Sequence, residues 1–175
     1  MTDYLEQLKY PIGRFQLADI IDESHIADWI RRIETLPERL KLEVEGLGEE
    51  DLNAMYRPGG WSVRQIVHHL PDSHLNAYIR FKLALTEDRP VIRPYHEDLW
   101  AELPDAKNAP IGISLNLLES LHIRWSMVLK SLTPDDLNRV YIHPEHNKPF
   151  KLKEVISLYA WHGDHHLAHI KKAKG

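Results

Sequence analysis

Leu152-Lys153-Glu154-Val155-Ile156-Ser157-Leu158-Tyr159-Ala160-Trp161-His162-Gly163-Asp164-His165-His166-Leu167-Ala168-His169-Ile170-Lys171-Lys172 is the stretch whose reading decides the fold. At about 100° per residue, Leu152, Val155, Ile156, Tyr159 and Ile170 share one stripe, the pattern of a helix with one face in a core. The closing lysines lie where the negative end of the helix dipole favours cations. Between Trp161 and His169 fall four of the chain's 12 histidines. They form two pairs spaced four apart, His162/His166 and His165/His169. On a helix that spacing puts both rings of a pair on one face, a turn apart, within reach of a single ion. Imidazole is the commonest protein ligand for zinc, nickel and related metals.

Periodicity separates the two pairs. His162 and His166 lie on or beside the core stripe, whereas His165 and His169 fall toward its edge, so His165 reads as a helix-surface residue. Gly163 points inward and is expected to leave open space beside the inner rings. Burying two unpartnered imidazoles costs roughly a few kcal/mol, which a shared metal would offset. The bland alternatives are buried histidines bonded to their neighbours, or a solvated histidine-rich end.

Working outward, a second helix opens at Ser62-Val63-Arg64-Gln65, a capping box, with Trp61 and Ile66 placed as a hydrophobic staple. Val63, Ile66, Val67, Leu70, Ala77, Tyr78, Phe81 and Leu85 carry its period to about Leu85. Pro71, which lacks an amide hydrogen, predicts a kink there. This helix offers His68, His69 and His74 as a third ligand, since three protein ligands plus water is the usual catalytic pattern. An uninterrupted period leans toward His74, but Pro71 breaks the count, and spacing alone leaves the choice open.

A first helix is expected from about Asp22, through Ile26, Trp29, Ile30, Ile33, Leu36 and Leu40, kinked or restarted at Pro37 and ended by Gly46 and Gly48. The first 21 residues read as an extended arm. Residues 87–112 read as a long, proline-rich loop. A third helix follows from about Ser114 to Leu132. Thr133-Pro134-Asp135-Asp136 caps a short helix. Val140-Tyr141-Ile142 and Phe150-Lys151-Leu152 flank turn residues and suggest a small hairpin, with His143 and His146 exposed on it. Four long amphipathic helices make an all-α four-helix bundle, one domain over residues 1–175.

Composition narrows the function. The net charge is −4 and the pI near 6.3, which argues against nucleic acid or an anionic membrane as main partner. Neither a signal-like start nor a transmembrane run is visible, so the expectation is a cytoplasmic protein. With no cysteine, a transition-metal site must be built from His, Asp and Glu.

The run Tyr56-Arg57-Pro58-Gly59-Gly60-Trp61-Ser62-Val63-Arg64-Gln65-Ile66-Val67-His68-His69-Leu70, then Asp72-Ser73-His74, resembles the DinB-like superfamily, and within it the YfiT-type metal-dependent hydrolases. The likeness continues through Asn76, Tyr78 to Leu83, Ile92-Arg93-Pro94-Tyr95 with Trp100, and Trp161 to Ile170, and includes Tyr10-Pro11-Ile12-Gly13. It implies a four-helix bundle holding one divalent metal, Zn(2+) or Ni(2+), on three histidines. One comes from a His-Leu-x-Asp stretch, matched here by His69-Leu70-Pro71-Asp72, and two from His162 and His166. Pro71 departs from the small helix former that relatives usually carry.

The resemblance implies three function classes. The first is a hydrolase acting on a small-molecule substrate through metal-activated water. The second is a transferase of a low-molecular-weight thiol of the bacillithiol type, and the third a non-catalytic metal-binding stress protein. It also implies a homodimer. Position 163 is glycine, so the His-Glu-x-x-His base of metalloproteases is missing. Asp72, His165 and His74 are the candidate proton carriers, with Asp72 alternatively orienting a ligand imidazole. Arg80, Arg93, Tyr95 and Trp100 are candidates to line a substrate mouth or to anchor the loop.

Overall fold

The computed structural model describes residues 2–146 and 148–174. Its elements run α1 Thr2–Lys9, α2 Glu23–Glu34, α3 Leu36–Val44, α4 Glu49–Asn53, α5 Val63–Thr86, α6 Glu97–Trp100, α7 Pro104–Asn108, α8 Ile111–Lys130, α9 Pro134–Asn138, β1 Val140–His143, β2 Lys148–Lys151 and α10 Leu152–Ala173. The consecutive α2 and α3 form one side of a four-helix bundle, with α5, α8 and α10 as the others. Both α8 and α10 pack against α2, α3 and α5.

Local chemistry sets the boundaries. Ser62 Oγ accepts the Gln65 amide hydrogen at 3.2 Å, and the Gln65 side chain accepts from Ser62 N at 3.0 Å, the reciprocal cap that starts α5. Pro71 sits inside α5, yet the helix runs on to Thr86. At Pro37 the chain restarts: α2 ends at Glu34 and α3 begins at Leu36, with proline in its first turn, where a missing amide hydrogen costs least. Gly46, at φ +74°, takes the left-handed conformation after α3 that favours glycine. Thr133 caps α9 by accepting from Asp136 N. The hairpin pairs Val140 with Lys151 and His143 with Lys148, antiparallel.

Several expectations are corrected. The N-terminal segment is not extended throughout: Thr2–Lys9 is helical and only the residues after it are irregular, with Met1 outside the described residues. The long loop carries the two short helices α6 and α7. The third helix starts at Ile111, directly after Pro110, rather than at Ser114.

The core is two apolar clusters. One joins Trp29, Ile30 and Ile33 to Ala77, Phe81, Trp125, Val155 and Ile156. The other joins Leu36 and Leu40 to Val63, Ile66, Leu70, Leu118, Leu167 and Ile170. Between them, at the height of the α2–α3 break, α5, α8 and α10 contribute a layer of imidazoles. That layer is the candidate site.

Candidate metal centre

His69 on α5 and His162 and His166 on α10 meet in this layer, and each offers a ligand nitrogen, all within 4.8 Å of one another. The Nε2 atoms of His69 and His162 are 3.3 Å apart. Two bare lone pairs would repel at that distance, so a proton or a cation must lie between them. The Nδ1 atoms of His165, His166 and His169 are all buried without a hydrogen-bond partner, so it is the convergence of three ligand nitrogens, not an orphaned atom, that marks this group. His69, His162 and His166 therefore fit a metal ion by their own geometry. His69 and His166 are buried, while His162 keeps some solvent contact.

Electrostatics point the same way. Burial lowers the His69 pKa to about 4. It pushes His162 and His166 well below the ordinary imidazole value, and the neighbouring rings add Coulombic repulsion. All three rings are thus neutral near pH 7, the state that carries the lone pair a metal needs. Trp61 forms a wall, its ring centroid 4.6 Å from His69 and 6.2 Å from His166. Its sequence context showed only a helix staple.

His74 is fully buried and lies outside the three-nitrogen group. It stands behind His162: His74 Nε2 is 3.2 Å from His162 Nδ1, and His74 Nδ1 is 2.9 Å from His122 Nε2. The sequence reading missed His122 on α8, whose only signal was a polar residue on an apolar face.

Asp72 is half-buried, and desolvation followed by the nearby Asp105 raises its pKa to about 6. It is not part of the histidine cluster, and its backbone carbonyl accepts from Asn76. Arg80 is buried and makes a long contact, 3.5 Å, to the Arg93 carbonyl. Tyr95 and Trp100 pair at 4.7 Å, with Trp100 exposed. A separate cleft of about 710 Å³ between α2, α8 and α9 is lined by Ile26, Ile30, Leu129 and Leu137 and holds none of the histidines.

Two expectations about α10 fail. His165 and His169 are buried rather than on the helix surface. The N-terminal segment covers them: Tyr10 lies 5.9 Å from His165, and His169 Nε2 donates to the Lys9 carbonyl at 3.0 Å. Trp161 and Tyr56 stack on the same two rings at 4.4 and 3.8 Å. Gly163 leaves no open space, since a Cβ there would meet Leu36 Cδ2 at 2.8 Å. The missing side chain lets α3 approach α10. Beside it, Asp164 binds Arg32 and Arg39 at 2.6 Å each, bridging the α2–α3 break. On the hairpin, His146 is exposed but His143 is half-buried.

The bundle and its histidine layer define a class. A profile of the DinB superfamily matches residues 32–170, and the chain belongs to that superfamily. It is 52% identical over 166 residues to a protein of Bacillus mycoides named "putative metal-dependent hydrolase", with 95% of each chain covered. An Oceanobacillus iheyensis protein of the same name is 54% identical over 162 residues, with 93% of each covered. The solved structure of YfiT from Bacillus subtilis superposes with a TM-score of 0.92 at 46% identity, covering 95% of both chains. It is described as a probable metal-dependent hydrolase with an unusual four-helix bundle topology.

Proposed function

We propose that this chain is a metal-dependent hydrolase of small molecules, with one divalent ion, zinc or nickel, held by His69, His162 and His166. The observation that carries the reading is the convergence of three neutral imidazoles from two helices on one point, with no carboxylate in the group. Three protein ligands leave a position open for water or substrate, whereas structural zinc sites normally use four. The relatives' names support the same class.

A divalent ion bound there would supply a Lewis acid that makes water nucleophilic near neutral pH. The chain's own residues do the rest. The three imidazoles stay neutral, while Trp61 excludes bulk solvent from one side. Asp72, with a pKa raised to about 6, is the candidate proton carrier by its titration range, although its carboxylate is not one of the groups that meet in the histidine cluster.

The test is turnover of an ester, amide and electrophile panel by zinc- and nickel-loaded protein, with and without an added small thiol. Metal-dependent hydrolysis without thiol supports the proposal. Consumption of electrophiles only when thiol is present replaces it with S-transfer, and inertness of the loaded protein across the panel leaves a metal-binding role. Exposed apolar residues on α8, Ile113, Leu117, Ile123 and Met127, favour a homodimer, which sedimentation would reveal as a species of twice the 20.5 kDa chain mass.

A further inference from the structure

Behind His162 runs a line of contacts with one fixed end. His122 Nδ1 is 2.6 Å from the backbone carbonyl of Ile33. A carbonyl only accepts, so His122 must carry its hydrogen on Nδ1, and its Nε2 is a bare acceptor. His74 Nδ1, 2.9 Å away, must then donate, which leaves His74 Nε2 bare. His162 Nδ1, 3.2 Å further on, must donate in turn. For neutral rings, no other set of hydrogen positions satisfies all three contacts. The remaining nitrogen of His162, Nε2, is left as a lone pair facing His69.

The carbonyl is available for a reason written in the sequence. In a continuous helix, Ile33 would accept from the amide four residues on. That residue is Pro37, which has no amide hydrogen. The break that ends α2 at Glu34 therefore leaves an acceptor pointing into the histidine layer, between the two apolar clusters.

We propose that the Ile33 carbonyl, His122 and His74 form a positioning chain that locks His162 in the Nδ1–H tautomer and aims its Nε2 lone pair into the three-histidine cluster. The chain rests on the metal reading for its purpose but not for its existence. His166 has no comparable support, since its Nδ1 is unpartnered. Outer hydrogen bonds of this kind fix ring orientation and raise ligand basicity, and losing one typically costs about 10–100-fold in metal affinity.

The experiment has two arms. In the first, long-range ¹H–¹⁵N NMR on ¹⁵N-histidine-labelled, metal-free protein should show His122, His74 and His162 all as Nδ1–H tautomers. An Nε2–H tautomer at His122 or His74 overturns the proposal. In the second, chelator competition measures zinc affinity of folded variants. His122→Leu, similar in bulk but without polar atoms, should lose about 10–100-fold. His122→Gln, whose amide carries both a donor and an acceptor, should recover most of that loss. Equal affinities for the two variants would refute the role of the chain. If His122→Leu does not fold, the tautomers of the wild type decide alone. Wild-type protein that shows the three Nδ1–H tautomers yet binds no zinc would sink the metal reading while leaving the hydrogen-bond chain in place.

Discussion

His162 and His166 are met from across the bundle by His69 of α5, whereas His165 and His169 are met from outside by Lys9 and Tyr10 of the N-terminal segment. The two pairs share a helix, a spacing and a low exposure. They differ in what faces them. The inner pair faces another imidazole nitrogen, an arrangement that needs a proton or cation between the rings. In the outer pair His169 faces a backbone carbonyl and His165 faces aromatic rings, and neither meets a third ring nitrogen across the bundle. Histidine content and burial therefore do not define a metal site, nor does one imidazole facing another, as His74 and His122 show; the convergence of three ring nitrogens is what sets the inner pair apart.

The largest expected effect tests that difference directly. His69→Ala, His162→Ala and His166→Ala should each abolish stoichiometric zinc or nickel binding while circular dichroism stays helical. His165→Ala and His169→Ala should keep their metal. Equal metal content across all five variants would erase the distinction between the pairs.

Next comes pH. Burial depresses His122 to about 4, below its ordinary 6.5, so the unfolded chain binds the proton more readily. The stabilisation is then fully present above pH 6.5 and is lost as pH falls toward 4. A single such group loses about 2 kcal/mol by pH 5. Urea denaturation of metal-free protein at pH 7.5 and pH 5 should show a clear drop, larger in wild type than in His122→Gln. A pH-independent midpoint would contradict burial of neutral histidines in the layer.

His165→Ala and His169→Ala should destabilise by roughly 1–2 kcal/mol, through lost packing and, for His169, the lost bond to Lys9. Deleting residues 1–9 should remove most of the His169 penalty, because its partner is then gone; a double-mutant comparison of denaturation midpoints checks this. The smallest effect belongs to Gly163→Ala. Helix propensity favours alanine by about 1 kcal/mol, but its Cβ would overlap Leu36, itself only 1% exposed. Overpacking of about 1–3 kcal/mol should win narrowly, giving a net loss near 1 kcal/mol. A more stable variant would mean that Leu36 yields.

Much of this was legible in the chain. The apolar period of Leu152 to Ile170 and the Ser62–Gln65 box place α10 and α5, because local periodicity and capping depend on residues a turn apart. The same period selects His162 and His166 for the inner face. Periodicity did not select His69 over His74: both are buried on α5, and family likeness supplied the preference. In space they play distinct parts, His69 in the three-nitrogen group and His74 one ring behind it.

What the sequence determined by itself was the long bundle helices, the apolar stripes that face the core and a supply of imidazoles without cysteine. Tertiary structure alone decided which imidazoles meet. The burial of His165 depends on Tyr10, far away along the chain, and the role of His122 on a carbonyl 89 residues earlier. Gly163 is occupied by Leu36 for the same reason. Such contacts are set by how whole helices pack, and no local period encodes the distance between two of them.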